Sequence, residues 1–334
     1  MTAPEIAVIG GGGWGTALAL LLSRRAHAVP LWVHGSGRAR EMDSSRVNAA
    51  YLPGARLPGN ILPTADLDAC SAAAILFVAV PSRHLAAVCD GIARGLGESR
   101  PLIVSCTKGI DPERGLLMSE VIGECLPRCP VAVLSGPNLA GEIAAGFPAA
   151  GVVACEETAL AVRVQSLFEG TPFRAYTGSD VRGVQLGGAL KNVFAIAAGV
   201  SDGLGLGENA RAGLVTRSLA EMTRLGTAMG GERETFGGLG GIGDLMVTCF
   251  SPKSRNHGVG FRIGRGEKPE AILGSMTMAA EGVPTAFAAR DCARRAGVSA
   301  PLIDEVAALL EGSKGAADAM RSLLAREMRP EGEV

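Results

Sequence analysis

Val8-Ile9-Gly10-Gly11-Gly12-Gly13-Trp14-Gly15-Thr16-Ala17 joins a short apolar run, Glu5 to Ile9, to a segment whose Ala17, Leu18, Leu21 and Leu22 share one helical face. Gly10, Gly12 and Gly15 match G-x-G-x-x-G. In a chain with 47 glycines the match alone is weak, and the competing reading is a flexible glycine loop. A strand before it and a helix after it give it meaning. The spacing then answers three demands: a tight turn, close backbone approach to a pyrophosphate, and tight helix-on-strand packing. The helix N-terminus adds backbone N–H groups for phosphate.

Further apolar runs follow at Val29 to Val33, Ala74 to Val80, Leu102 to Ser105, Val131 to Leu134 and Gly151 to Ala154. Runs this short and uniform suit strands buried on both faces of a parallel sheet. Helical segments lie between several of them, such as Ser82 to Leu96. From Ser179 onward the pattern is helical: Val181 to Val200, Ala212 to Met229, Pro269 to Leu273, Thr285 to Ala296, Ile303 to Leu310 and Ala316 to Arg326. A chain of 334 residues exceeds one typical core. The expected fold is therefore α/β. A Rossmann-like doubly wound sheet domain spans 1–178 and an all-helical domain spans 179–334, with a frayed tail from Arg329 to Glu333.

Net charge is −1, which argues against a nucleic-acid partner. The eight cysteines form no C-x-x-C pair, so free thiols in a reducing compartment are expected. The four histidines, 27, 34, 84 and 257, show no ligand spacing, and no metal is expected. No signal peptide is legible, and no apolar run reaches 18 residues without a break by charge or loop chemistry, so a cytoplasmic protein outside the membrane is expected. The sequence does not set the oligomeric state; a homodimer is compatible with it.

The second strand should end in the residue that reads the adenosine ribose. Leu31-Trp32-Val33-His34 carries no carboxylate there; His34, Arg38 and Arg40 follow. A carboxylate would repel a 2′-phosphate, whereas basic groups attract one. The cofactor expected is NADPH or NADH, with NADPH favoured.

Only five lysines stand among 32 basic residues. Lys108, in Ser105-Cys106-Thr107-Lys108-Gly109-Ile110, directly follows a strand, as does Leu134-Ser135-Gly136-Pro137-Asn138-Leu139-Ala140. Open α/β sheets bind ligands at such strand ends. Lys191, in ALKNVFAIAAG, is the only charged residue between Arg182 and Asp202. Desolvation there should lower its pKa and make it a usable proton donor near neutral pH; the alternative is a snorkelling lysine at a domain interface. Gly237 to Gly243 holds five glycines in seven residues, expected to let backbone approach a ligand. Ser254-Arg255-Asn256 then offers donors suited to phosphate.

Together, GGGGWGTALA, TKGI, SGPNLAGEIA, ALKNVFAIAAG, GGIGDLMVTC and SPKSRN occur in an order and spacing that resembles the bacterial type of NAD(P)H-dependent glycerol-3-phosphate dehydrogenase, from about Ile6 to Ala296. The resemblance implies reduction of dihydroxyacetone phosphate to sn-glycerol 3-phosphate for glycerophospholipid synthesis. It implies that Gly13, Trp14, His34 and Ala140 touch the cofactor, and that Ala279 and Glu281 close over it. Lys108 would serve both cofactor and substrate. Gly136, Asn138, Asp244, Ser254, Arg255 and Asn256 would hold the substrate, with Arg255 also reaching the cofactor, and Lys191 would be the proton donor and acceptor. Asp244 is open between a substrate contact and an orienting role for Lys191. The chain departs from the family at Gly13, often Ser, at His34, often Arg, and at Asn138, often Ser or Pro. Two rival readings are a two-domain dehydrogenase of 3-hydroxy acids, which would not need Ser254-Arg255-Asn256, and a redox sensor that binds NADPH without turnover, which would not need both lysines.

Overall fold

A computed structural model describes residues 4–276, 278–328, 330 and 331. Most of the expected frayed tail lies outside the described residues. The chain divides into two compact units, Met1–Thr107 with Met118–Val181, and Lys108–Leu117 with Arg182–Val334.

The first unit carries the strands β1 (Ile6–Ile9), β2 (Val29–Trp32), β3 (Val47–Asn48), β4 (Leu52–Arg56), β5 (Ile61–Thr64), β6 (Ile75–Val78), β7 (Leu102–Ser105), β8 (Val131–Ser135), β9 (Ala149–Ala154) and β10 (Phe173–Gly178). Eight form one sheet in the order β10-β9-β8-β7-β6-β1-β2-β5, and β3 and β4 form a separate antiparallel pair. The order reverses at β1. Right-handed crossovers then put helix Gly13–Leu22 on one face and helices Leu85–Leu96 and Met118–Cys125 on the other. The reversal opens the crevice where such sheets bind ligands, outside the carboxyl ends of β1 and β6.

All six apolar runs are strands. Two further strands of the sheet are not legible as apolar runs, because both are sheet edges. β5 is interrupted by Pro63, tolerated only at an edge. β10, Phe-Arg-Ala-Tyr-Thr-Gly, alternates between buried and exposed positions. One pairing also differs from the parallel expectation, since β8 and β9 run antiparallel. Gly136, just after β8, lets the two strands come close where they meet. Its φ is +137°, and a Cβ there would stand 2.8 Å from Gly151 Cα on β9.

The second unit is built around helix Val181–Gly203, nearly all buried. By length and composition alone this helix could cross a membrane, although Lys191 interrupts its apolar run. Its apolarity serves the core instead, with 94% of the apolar window buried. It packs backbone-to-backbone on helix Arg255–Gly264: a Cβ on Gly199 would lie 2.0 Å from His257 O, and one on Gly260 would lie 1.9 Å from Ile196 O. Residues 108–117 leave the sheet after β7 and join this unit, pinned by an antiparallel bridge between Ile110 and Leu117, both buried in the helical core.

Gly260→Ala should destabilise the protein by about 1–3 kcal/mol, because overpacking has no flexible side chain to displace. Urea denaturation at pH 7 reads the change, and a midpoint equal to wild type would mean that the two helices can separate freely.

Candidate active site

In the first unit the glycine turn is built as the spacing demands. Gly10 has φ +126°, and a Cβ on it would sit 2.4 Å from Ala79 O, just after β6. A Cβ on Gly15 would be 1.9 Å from Gly10 O. Gly12, by contrast, has open space on its Cβ side, and no side chain caps the helix that begins after it. The turn therefore offers unobstructed backbone at an uncapped helix N-terminus, which fits a pyrophosphate. Asn48, absent from the sequence motifs, braces it from beneath: its buried amide donates to Gly11 O at 3.0 Å and to Thr16 Oγ1 at 2.8 Å. No local pattern announces this role, because Asn48 comes from the β3–β4 hairpin. Gly13 and Ala140 meet on the same side: a Cβ added to Gly13 would stand 3.8 Å from Ala140 Cβ and 3.2 Å from Tyr51 O.

Beyond β2 the three basic residues separate. Arg38 donates to Gly11 O at 3.2 Å and stacks on the Tyr51 ring at 4.6 Å. His34 is exposed and stands edge-on to Trp32. Arg40 bonds Ser36 O within its own helix. Arg38 is thus the cation fixed beside the glycine turn. Trp14 Nε1, Ser105 Oγ, Ser135 Oγ and both polar atoms of the Asn138 side chain are buried without a hydrogen-bond partner. Three of these residues follow or end β7 and β8. Buried polar atoms seldom stay unpaired, so the set fits a polar ligand at the strand ends.

In the second unit Asp244 is fully buried and its carboxylate lies between two lysines. Lys191 Nζ donates to Oδ1 and Lys108 Nζ to Oδ2, each at 2.5 Å. Lys191 also donates to Thr248 Oγ1 at 2.8 Å, and Thr248 Oγ1 donates to Asp244 O at 2.6 Å. Thr248 lies one turn after Asp244 on helix Asp244–Phe250. Burial pulls the Lys191 pKa down to about 8; Asp244 opposes the fall and Lys108 adds to it. The expected desolvated lysine is present. For Asp244 the geometry favours orientation of Lys191, since each carboxylate oxygen is engaged by an ammonium.

The glycine-rich stretch works differently from the expectation that it receives a ligand. A Cβ on Gly187 would lie 2.2 Å from Gly240 O, so these glycines bring protein backbone against protein backbone. Gly187 is one turn before Lys191, and Gly240 is four residues before Asp244. Residues Leu239–Gly243 form a π-helical turn that leads into Asp244. A close approach at the glycines thereby sets the short Lys191–Asp244 distance.

Ser254, Arg255 and Asn256 open helix Arg255–Gly264. Ser254 Oγ caps it by accepting from His257 N at 3.2 Å. Arg255 is exposed and donates to Ala279 O at 2.8 Å. Asn256 is buried: it donates to Asn192 Oδ1 at 2.8 Å and accepts from Gly282 N at 3.0 Å. Its amide thus joins the Lys191 helix to the helix that follows Glu281. Arg255 and the helix terminus are the groups placed to meet an anion.

Removing the Asp244 charge leaves two ammoniums unneutralised. Lys191 can shed its proton at little cost above pH 8, but not below. Asp244→Asn should therefore cost more stability at pH 6 than at pH 9, by at least about 1 kcal/mol. Urea denaturation at both pH values reads this, and an equal loss at both would sever the link to Lys191.

Comparison with known proteins agrees with this architecture. The family model of the NAD-dependent glycerol-3-phosphate dehydrogenase N-terminus matches residues 5–161, and that of the C-terminus matches residues 180–321. A protein of Syntrophotalea carbinolica named glycerol-3-phosphate dehydrogenase (NAD(P)+) is 46% identical, covering 98% of this chain and 99% of its own. One of Citrifermentans bemidjiense with the same name is 44% identical over 99% of both chains. The crystal structure of glycerol-3-phosphate dehydrogenase from Coxiella burnetii superposes with a TM-score of 0.92 at 36% identity, covering 98% of this chain and 100% of the other. With both halves of the chain matched and full-length relatives well above 30% identity, the protein belongs to the NAD-dependent glycerol-3-phosphate dehydrogenase family.

Proposed function

We propose that this protein reduces dihydroxyacetone phosphate to sn-glycerol 3-phosphate with NADPH or NADH, reversibly, in the supply of glycerophospholipid precursors. The observation that carries the reading is the desolvated Lys191, held by Asp244 beside Lys108. A buried lysine with its pKa pulled down to about 8 and specific charged partners beside it is the pattern of a catalytic acid–base group.

By the family resemblance, Gly10, Gly12, Gly13, Trp14, Gly15, His34 and Ala140 would hold the dinucleotide, and Arg255, Ala279 and Glu281 would be cofactor contacts of the second unit. The bound dinucleotide would supply the hydride that reduces the carbonyl carbon. The protein's own groups do the rest. Lys191 Nζ gives its proton to the oxygen that becomes the secondary hydroxyl, and recovers one from solvent afterwards. Lys108 adds positive charge as that oxygen becomes negative. Asp244 holds both ammoniums in position. Arg255, Ser254 and the N–H groups of the helix terminus grip the phosphate, and Gly136 and Asn138 flank the substrate, so the carbonyl is presented at a fixed distance. A homodimer is compatible with this reading and is not required by it.

Lys191 must be protonated for reduction and neutral for oxidation. Reductive kcat should fall as pH rises through about 8, and oxidative kcat should rise over the same range. Lys191→Ala should abolish turnover while NADPH fluorescence still reports binding. Retention of more than about a tenth of wild-type kcat, a barrier change under about 1.4 kcal/mol, would remove Lys191 from the proton-donor role.

Arg38, fixed between Gly11 O and the Tyr51 ring, is the natural partner of a 2′-phosphate. Arg38→Ala should raise KM for NADPH by about tenfold, the loss of roughly 1.4 kcal/mol, and leave KM for NADH within about twofold. Equal changes for both cofactors would assign the discrimination elsewhere.

A further inference from the structure

His257 is buried at the third position of helix Arg255–Gly264, two residues after Arg255. Nothing in the chemistry above uses it. Its ring nitrogen Nε2 donates to Asp202 Oδ2 at 2.8 Å, since an ionised carboxylate can only accept. Asp202 lies at the C-terminal end of helix Val181–Gly203, the helix that carries Lys191. The same Asp202 oxygen accepts from Arg211 Nη1 at 3.0 Å, on a third helix, Gly207–Ala228. Arg211 in turn pairs with Glu208. Arg211, backed by Glu208, therefore shares Asp202 with His257, and the buried Cys249 thiol also feels the Asp202 charge.

Two more contacts converge on this residue. Its backbone N–H is the one capped by Ser254 Oγ. Its carbonyl is the surface that Gly199 packs against. One residue thus fixes the start of the Arg255 helix in two directions, along its axis through the cap and sideways through Asp202 and Gly199. Lys191 lies eleven residues before Asp202, about three helical turns along the same rod. The separation between the proton donor and the phosphate grip is set where the two helices are joined.

We propose that the His257–Asp202 pair is a positioning clasp, holding the Ser254-Arg255-Asn256 helix terminus at the distance from Lys191 that a phosphorylated three-carbon ketone requires. This rests on the phosphate-grip reading of Arg255. The clasp touches neither substrate nor cofactor; it acts through the helix terminus. Its loss should weaken recognition of the phosphate end and leave chemistry at the carbonyl end unchanged.

The test compares kcat/KM for dihydroxyacetone phosphate with kcat/KM for unphosphorylated dihydroxyacetone, at saturating NADPH. His257→Leu keeps the bulk and removes the hydrogen bond. It should lower the value for the phosphate ester by about tenfold, chiefly through KM, and leave dihydroxyacetone within about twofold. His257→Gln, whose amide can still donate to Asp202, should recover most of the loss. Asp202→Asn weakens the same joint from the other helix and should shift the ratio in the same direction, which keeps the test intact if His257→Leu does not fold. Arg255→Ala is the control. If it leaves the preference for the phosphate ester unchanged, the grip is elsewhere and the clasp falls with it. If Arg255→Ala abolishes the preference while folded His257 and Asp202 variants keep it, or lose both substrates equally, the grip stands and the clasp is refuted.

Discussion

One carboxylate shared by two ammoniums organises the catalytic half of this protein. Asp244 is fully buried, with Lys191 on one oxygen and Lys108 on the other. A buried carboxylate alone would be driven to protonate, and a buried lysine alone would be driven to lose its proton. Held together, each group offsets part of the other's cost of burial. Three separate stretches of chain converge to make the cluster. Lys108 arrives on a ten-residue excursion out of the sheet-bearing chain, anchored by Ile110 and Leu117. Lys191 sits in the middle of a core helix whose other charges, Arg182 and Asp202, lie at its two ends. Asp244 follows a π-helical turn that few sequences adopt without a functional reason.

Glycine does two different jobs in the two units. In the first unit Gly10 supplies a backbone angle, and Gly12 leaves the space in front of the turn empty. In the second unit glycine shortens the distance between helices. Gly187 against Gly240 brings Lys191 and Asp244 together, and Gly199 with Gly260 brings two helix backbones into contact. A helix interior loses stability with every glycine it carries. The long helix Val181–Gly203 tolerates several because each close approach buries neighbouring apolar surface and fixes the position of a functional side chain.

Much of this is legible in the sequence, and for a physical reason. Strands buried on both faces leave uniform apolar runs, and a charge isolated within an apolar helix stands out. The six apolar strands, the glycine turn and Lys191 can therefore be read directly. Edge strands β5 and β10 cannot, because one face meets water and the pattern dilutes. Asn48, Thr248 and the Asn192–Asn256 pair are also invisible. Each acts across a tertiary contact, through a residue type that is ordinary in any helix or hairpin. The stretch Gly237 to Gly243 stands out but suggests the wrong partner: sequence shows that something must come close, not whether it is ligand or protein. The hydrogen bonds of Asn256 to Asn192 and Gly282 are likewise tertiary, and its place beside Arg255 in the sequence does not reveal them.

The pKa of Lys191 explains why three groups are used where one lysine could donate a proton. An ordinary lysine, unperturbed near 10.5, would hold its proton too firmly to give it up readily at neutral pH. Burial alone would leave the amine neutral and unable to protonate anything. Asp244 supports the charged form, while burial and Lys108 favour release, and the balance falls at about 8. At pH 7 the protonated amine then outnumbers the neutral one by roughly ten to one. In the proposed role Lys191 would be loaded before reduction, and the free energy needed to regenerate or reverse it would be small, which suits a reversible reaction. The carboxylate thus has a role that needs no contact with substrate: its hydrogen bond to Lys191 supports the charged amine and holds it in place.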